Sequence, residues 1–159
     1  MSLLQLDADT STIQVVVFKL DNERYGVETS QVKEIIRVEE ITRIPNAPDF
    51  VEGVINLRGQ ITTIINLRKR FGMEPKEIDA NTRIIVFDYN NNTIGMMVDV
   101  VLEVKYLSAK NIEMLPSIIT SRNDARFLKG IGKLPEGLLI LIDLNKVLNE
   151  DELEKISNR

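Results

Sequence analysis

Residues 16–35, VVFKLDNERYGVETSQVKEI, align without a gap with residues 85–104, IVFDYNNNTIGMMVDVVLEV. Residues 50–71 align in the same way with residues 127–148, so two blocks recur in the same order. The identical pairs are Val17 and Val86, Phe18 and Phe87, Asn22 and Asn91, Gly26 and Gly95, Val32 and Val101, Glu34 and Glu103, Phe50 and Phe127, Gly53 and Gly130, Leu57 and Leu134, Ile65 and Ile142, and Leu67 and Leu144. We interpret this pattern as a tandem duplication, whose period of about 70–80 residues is too long for a solenoid repeat.

Each repeat opens with a predicted β-hairpin whose turn contains asparagine. In the first repeat, β-branched and aromatic side chains fill residues 15–20, a turn follows at 21–23, and residues 24–29 return the chain. Asparagine tolerates positive φ, which favours such turns. Gly26 and Gly95 lie inside predicted strands, where glycine indicates a bulge or a close backbone neighbour.

The segments after these hairpins predict short helices and a second hairpin in each repeat. Ser30 is placed to cap a short helix with Val32, Ile35 and Ile36 on one face. Further on, strand-like residues flank a turn at Arg58, and the second repeat has the same arrangement.

Short strands separated by turn residues, with little helix, indicate an all-β fold of two small closed barrels pressed together. We predict a first barrel over residues 13–75 and a second over residues 82–149, together one domain over 13–149. A short helix is expected in each linker. A motif typical of a helix start, Asn149 with Glu152, predicts a C-terminal helix in the tail of residues 150–159.

Composition excludes several classes of chemistry. The chain has 159 residues, a net charge of −4, and no Cys, His or Trp. It therefore lacks disulfides, sulfur or histidine metal ligands, and every histidine-dependent catalytic site. The equivalent carboxylates Glu34 and Glu103 are a possible catalytic pair of the kind that glycosidases use. Glycosidase sites also stack the sugar on aromatic side chains, and the chain has no Trp. We expect no enzyme, no cofactor and no metal site.

Location and ligand class follow from the same composition. The start of the chain shows no signal-peptide pattern, and no apolar run approaches the ~18 residues of a membrane span. We therefore expect a cytoplasmic protein without membrane insertion. An acidic chain with few aromatic residues also argues against nucleic acid, although a single-strand-binding barrel stays open as a weaker alternative.

Two features favour binding to a protein partner. Arg58 lies in a tight turn between two strands, which would hold its guanidinium rigidly for a carboxylate or a carbonyl; an ordinary solvated arginine is the alternative. The longer linker of the second repeat carries Ile118 and Ile119 beside Pro116. Exposed apolar residues in a loop mark a partner site. The alternative is that the two isoleucines are buried in the core of their own barrel.

Several motifs resemble the CheW-like domain family. They are Tyr25-Gly26-Val27, Val32-x-Glu34-Ile35, Asn56-Leu57-Arg58-Gly59, Asp99-x-Val101 and Gly130-x-Gly132. The resemblance covers about residues 13–148. Asn66 and Thr63 depart from it, since the family usually has Asp and Pro at these positions. The resemblance implies two packed five-stranded barrels of OB or SH3 type, which are open to strand exchange.

The resemblance also implies a function and its residues. Members couple chemoreceptors to the histidine kinase CheA, and a chain of this length fits a free adaptor at membrane-associated receptor arrays. The cytoplasmic receptor tip, a helical hairpin, would bind in an apolar groove between the barrels. The positions implied on the receptor side are Val32, Glu34, Gly53, Arg58, Gly95 and Val104. On the kinase side, which would contact the CheW-like regulatory domain of CheA, the resemblance implies Ile118 and its neighbour Ile119. A pili-type pathway is an alternative output.

Overall fold

The computed structural model describes residues 11–120 and 126–148, which contain eleven strands and two short α-helices. The strands are β1 (Thr12–Leu20), β2 (Glu23–Glu28), β3 (Glu34–Arg37), β4 (Val51–Leu57), β5 (Gln60–Asn66), β6 (Arg83–Tyr89), β7 (Asn92–Val98), β8 (Val100–Ser108), β9 (Ile112–Glu113), β10 (Leu128–Leu134) and β11 (Gly137–Ile142). The helices are α1 (Leu67–Arg70) and α2 (Ser117–Thr120), with 3-10 turns at Thr29–Gln31, Ala109–Asn111 and Leu144–Lys146. The prediction of an all-β fold is confirmed.

The strands form two sheets, and each sheet takes strands from both sequence repeats. One sheet has the order β8-β1-β2-β11-β10-β9, and the other has the order β3-β6-β7-β5-β4. Strand β11 of the second repeat runs parallel to β2 of the first, while β5 of the first repeat runs parallel to β7 of the second. The two parallel pairings use equivalent registers, Ile140 opposite Tyr25 and Thr63 opposite Ile94.

The compact units of the chain follow these sheets. The described residues of the first unit lie within 11–30 and 102–147, and those of the second are 31–101 with Leu148. The predicted boundaries at 13–75 and 82–149 therefore delimit sequence repeats, and each compact unit combines parts of both. It stays a prediction that each sheet closes into a barrel and that the two barrels pack against each other.

Each unit has its own apolar core, and the two cores use equivalent positions of the repeats. In the second unit the core contains Ile55, Leu57, Ile64, Ile84, Val86 and Met97. In the first unit it contains Val15, Val17, Leu107, Leu139 and Leu141. Ile84, Val86 and Ile64 align with Val15, Val17 and Leu141, so the duplicated sequence builds each core from matching strands.

Two predicted details are wrong. The helix expected after Ser30 is instead a 3-10 turn followed by β3, which pairs antiparallel with β6. In this strand Ile36 packs against the core while Ile35 is exposed, because alternate side chains of a strand face opposite ways.

The number of strands also differs from the prediction. The sheet of the first unit has six described strands where five were expected, since β9 pairs with β10. The predicted C-terminal helix lies outside the described residues.

A buried ion pair joins the end of β5 to the end of β7. Arg68 donates from Nε to Oδ1 of Asp99 at 2.9 Å and from Nη2 to Oδ2 at 3.2 Å. Its Nη1 donates to the carbonyl of Glu74. The side chains of Arg68 and Asp99 are only 8% and 10% exposed. Asp99 directly precedes β8, so the pair anchors the chain where it leaves the second unit.

We predict that Asp99→Ala lowers the free energy of unfolding by about 3–5 kcal/mol, because it leaves a buried guanidinium without its carboxylate. Chemical denaturation measures this loss. Glu113→Ala, which removes the exposed Lys133–Glu113 pair, should cost under about 1 kcal/mol. The double variant Arg68→Met/Asp99→Leu should regain much of the loss; if it is as unstable as Asp99→Ala, the lone charge is not the cause.

Candidate functional site

Arg58 occupies a strained turn position that the fold itself does not require. Arg58 and Gly59 have φ values of 53° and 86° between β4 and β5, and positive φ at both positions is the mark of a type I′ turn. The other non-glycine residues with positive φ in the described ranges are all Asn or Asp, which tolerate it. The equivalent hairpin of the second repeat turns through Pro135 and Glu136. Strain of this kind at a hairpin tip indicates a functional position.

The structure brings two of the predicted receptor-side residues together. Nη2 of Arg58 donates to Oε2 of Glu34, although the two residues lie on the β4–β5 hairpin and on β3, the first strand in the order of that sheet. Their side chains are 67% and 26% exposed. Gly59 N–H donates to Oδ1 of Asn56 at 2.8 Å and fixes the turn below the arginine. A guanidinium and a carboxylate are thus presented side by side to solvent.

A separate polar network joins the start of β5 to the β6–β7 hairpin. Nε2 of Gln60 donates to Oγ1 of Thr93 at 2.8 Å, and Oγ1 of Thr93 donates to Oδ1 of Asp88 at 3.2 Å. Asp88 also lies 3.6 Å from Nζ of Lys33. This network is not predictable from the sequence, because its members are ordinary polar residues whose proximity depends on the pairing of β5 with β7.

The two glycines among the predicted receptor-side residues have structural reasons of their own. Gly53 has a φ of 147°, and a Cβ there would lie 2.1 Å from the carbonyl oxygen of Thr42. It lies at the bulge of β4 against β5, beside the bridge between Thr42 and Val54. A Cβ on Gly95 would lie 2.6–2.7 Å from side-chain atoms of Ile84 and Ile64. Both glycines are buried, and both permit close packing inside the second unit.

The remaining predicted residues are distributed over both units. Val32 lies half-buried just before β3 of the second unit. Val104 lies on β8 in the first unit and is 51% exposed. In the second linker, Ile118 lies in α2 and is 80% exposed, so its side chain is not part of a core. The side chain of Ile119 lies outside the described part of the structure.

The first unit also has an ion pair between a hairpin turn and another strand, at positions that do not align with Glu34 and Arg58. Nζ of Lys105 on β8 lies 2.9 Å from Oε2 of Glu136 in the β10–β11 turn. The hydrogen bond to Lys105 lowers the pKa of Glu136, and the same bond raises the pKa of Lys105. In each unit, therefore, an ion pair ties a hairpin tip to the strand that heads the sheet order.

The side chains of these surfaces suit recognition of a partner. In the described ranges no group of three or more acidic side chains is placed to hold a metal ion. Among the same residues, no helix is long and apolar enough to cross a membrane. The candidate site is an exposed ion pair between a hairpin turn and β3, which fits a protein surface of complementary charge.

Comparison with known proteins assigns the family. The family model of the CheW-like domain matches residues 14–152. The chain belongs to the CheW-like family. A chemotaxis protein CheW from Klebsiella aerogenes is 37% identical over 154 residues, which cover 97% of this chain and 92% of that relative. A chemotaxis protein CheW from Bacillus subtilis is 34% identical over 138 residues, which cover 87% of this chain and 88% of that one.

A solved structure from this family supports the fold. The crystal structure of the scaffolding protein TtCheW from Thermoanaerobacter tengcongensis matches with a TM-score of 0.80 at 35% sequence identity. The match covers 89% of this chain and 96% of that chain.

Asn66 stands where the family usually has Asp, but this difference changes little in the structure. Oδ1 of Asn66 caps α1 by accepting a hydrogen bond from Lys69 N–H. Asp143, the equivalent residue of the second repeat, caps the 3-10 turn at Leu144–Lys146 in the same way.

We predict that Gly53→Ala destabilises the protein by about 3 kcal/mol or more, because the new Cβ would overlap the Thr42 carbonyl at a φ unsuited to alanine. Thermal unfolding measures the effect. Gly72→Ala is the matched control, since Gly72 also has positive φ but no atom within 4 Å of its Cβ position. Equal losses for both variants would mean that φ strain alone, and no steric overlap, explains Gly53.

Proposed function

We propose that this chain is a non-enzymatic scaffold that couples chemoreceptors to a CheA-type histidine kinase in chemotaxis signalling. The observation that carries the proposal is the family match over residues 14–152, together with relatives of nearly the same length that are named chemotaxis and scaffolding proteins. These relatives favour neither a pili-type pathway nor a nucleic-acid-binding barrel. A soluble adaptor of this kind would act in the cytoplasm, at membrane-associated receptor arrays, through its partners.

The receptor side of the proposed adaptor is the surface around Glu34 and Arg58. A receptor tip is a helical hairpin, and a helix binds through apolar anchors while charged groups at the rim set its register. Val32 supplies a half-buried apolar group next to the ion pair in sequence, and Arg58 supplies a fork of donors for a carboxylate or a helix carbonyl. The glycines at positions 53 and 95 support this surface from inside the unit.

The kinase side of the proposed adaptor is the linker that contains α2. Ile118 is 80% exposed and Met114 is 77% exposed in this linker. Two large apolar side chains at the surface of one short segment form a contact site for a partner domain. The proposed partner is the CheW-like regulatory domain of the kinase, with Ile119 as a further candidate.

The direct test of the proposed function is reconstitution with a receptor-tip fragment and a CheA-type kinase. We expect the chain to co-sediment with both partners and to raise autophosphorylation of the kinase in the presence of the receptor. If the chain binds neither partner while a CheW from a relative binds both under the same conditions, the proposed function is wrong.

We predict that Arg58→Glu weakens binding to a receptor-tip fragment at least about tenfold, since it places two like charges side by side and removes charge-assisted donors. Isothermal titration measures the affinity. The fold should persist, because an exposed ion pair contributes under about 1 kcal/mol. The swap Glu34→Arg/Arg58→Glu separates two cases: recovery of affinity would mean that the partner needs only the intact pair, and unchanged affinity of the single variant would refute the role of Arg58.

We predict that Ile118→Ser weakens kinase binding about fivefold or more and leaves receptor binding unchanged, because it removes an exposed apolar contact outside the receptor surface. Surface plasmon resonance against each partner measures both affinities. Ile61→Ser is the control, because Ile61 is also an exposed isoleucine, 64% accessible, but lies on β5. Equal losses of affinity for the kinase and for the receptor fragment would contradict a kinase-specific role of Ile118.

A further inference from the structure

We propose that β8 is a docking edge for a second copy of this chain, which pairs with it as an antiparallel strand. The residues that form this edge are 102–106, with the sequence Leu-Glu-Val-Lys-Tyr, and they lie in the first unit. Self-association goes beyond the proposed function, which gives the chain a receptor and a kinase as partners. The second copy would supply the same five residues, so the contact is symmetric.

Strand β8 lies at the end of its sheet. The order β8-β1-β2-β11-β10-β9 gives β8 one neighbour, β1, and no other described strand pairs with its second edge. Leu102, Glu103 and Val104 are all exposed, although successive side chains of a strand point to opposite faces. Both faces of this part of β8 are therefore accessible, and its outer edge has unpaired backbone groups that a further strand can use.

The backbone groups at this outer edge belong to alternate residues. Ala109, which follows β8, donates its N–H to the carbonyl of Ser11, which precedes β1, at 2.9 Å. The end of β8 thus lies beside the start of β1, so the two strands are antiparallel. In an antiparallel ladder every second residue bonds to the same neighbour. Counting back from Ala109, the N–H and C=O groups that point to the outer edge are those of Leu102, Val104 and Tyr106.

The side chains of residues 102–106 complement themselves in the antiparallel direction. When Val104 lies opposite Val104 of a second copy, Glu103 lies opposite Lys105 of that copy. In the same register Leu102 lies opposite Tyr106. The opposite charges share one side of the paired strands and the apolar side chains share the other, because side chains alternate. Cross-strand pairs of both kinds stabilise a sheet.

The groups that this pairing uses are available in the single chain. Leu102, Val104 and Tyr106 are 41%, 51% and 74% exposed. Nζ of Lys105 already lies 2.9 Å from Oε2 of Glu136. An ammonium group has three donors, so Lys105 can bind a carboxylate of a second copy and keep this contact.

The sister strand β3 lacks this complementarity. Strand β3 also lies at the end of its sheet, and residues 33–37 align with residues 102–106. In the equivalent register, Lys33 would lie opposite Arg37 of a second copy, and like charges directly opposite one another destabilise a sheet. Charged side chains commonly protect edge strands in this way. Self-pairing is therefore opposed at β3 and favoured at β8.

The paired edge is short, so the dimer should be weak. A pair of five-residue strands buries much less than the roughly 800 Å² per partner of a stable interface. We therefore expect a monomer at about 1 μM and a dimer fraction that grows as the concentration approaches about 1 mM. The pairing would cover Val104, one of the predicted receptor-side residues.

The test measures self-association of the full chain by sedimentation velocity over this range of concentration. Glu103→Lys places cations opposite one another, and Lys105→Glu places carboxylates opposite one another. Each variant alone should lower the association constant at least about fivefold. An equimolar mixture of the two should form a heterodimer about as tightly as wild type, because each lysine then faces a glutamate. Lys146→Glu, an exposed charge reversal in the 3-10 turn after β11, should change the constant less than about twofold.

A proline variant tests the edge without changing a charge. Val104→Pro removes an N–H that points away from β1, so the fold should persist, as circular dichroism would show, while dimerisation is lost. If Val104→Pro unfolds the chain, the proposal is judged by the charge variants alone.

Three results would overturn the proposal. They are a wild type that stays monomeric at about 1 mM, single charge variants that dimerise as wild type does, and a mixture of the two variants that stays monomeric while both remain folded. Receptor and kinase are absent from these measurements, so their outcome is independent of the proposed function.

Discussion

Parallel pairing between the two sequence repeats is the constraint on which the rest of the structure depends. Ile64 of β5 lies opposite Gly95 of β7, and Leu141 of β11 lies opposite Gly26 of β2. A Cβ on either glycine would approach neighbouring side-chain atoms, to 2.6 Å at Gly95 and 3.1 Å at Gly26. The glycine shared by both repeats is therefore needed where a strand from the other repeat packs closely. Parallel neighbours also require long crossovers, which is why each unit takes strands from distant parts of the chain.

The same pairing builds the candidate site. Strands β3, β6 and β7 meet the β4–β5 hairpin in one sheet, and this arrangement brings Arg58 to Glu34 and Gln60 to Thr93. Rigid strands then hold the charged groups with little loss of conformational freedom on binding, which favours affinity.

Much of this was predictable from sequence, and the failures have a common cause. The internal repeat predicted the hairpin strands and the close neighbours of Gly26 and Gly95, because repeated sequence folds into repeated local structure. The helix predicted after Ser30 is wrong, since a short apolar run satisfies a helical pattern as well as a strand pattern. Only pairing with β6 decides between them. The hydrogen bond from Gln60 to Thr93 could not be predicted either, because strand register is a tertiary property.

The most direct test of strand exchange is to divide the chain between Ala80 and Asn81, in an exposed loop between the repeats. Circular dichroism and denaturant unfolding of the two fragments, alone and mixed, measure whether each repeat folds by itself. The account predicts that neither fragment unfolds cooperatively alone, and that the equimolar mixture regains the strand signal and a cooperative transition. Two fragments that each fold stably in isolation, with no change on mixing, would contradict it.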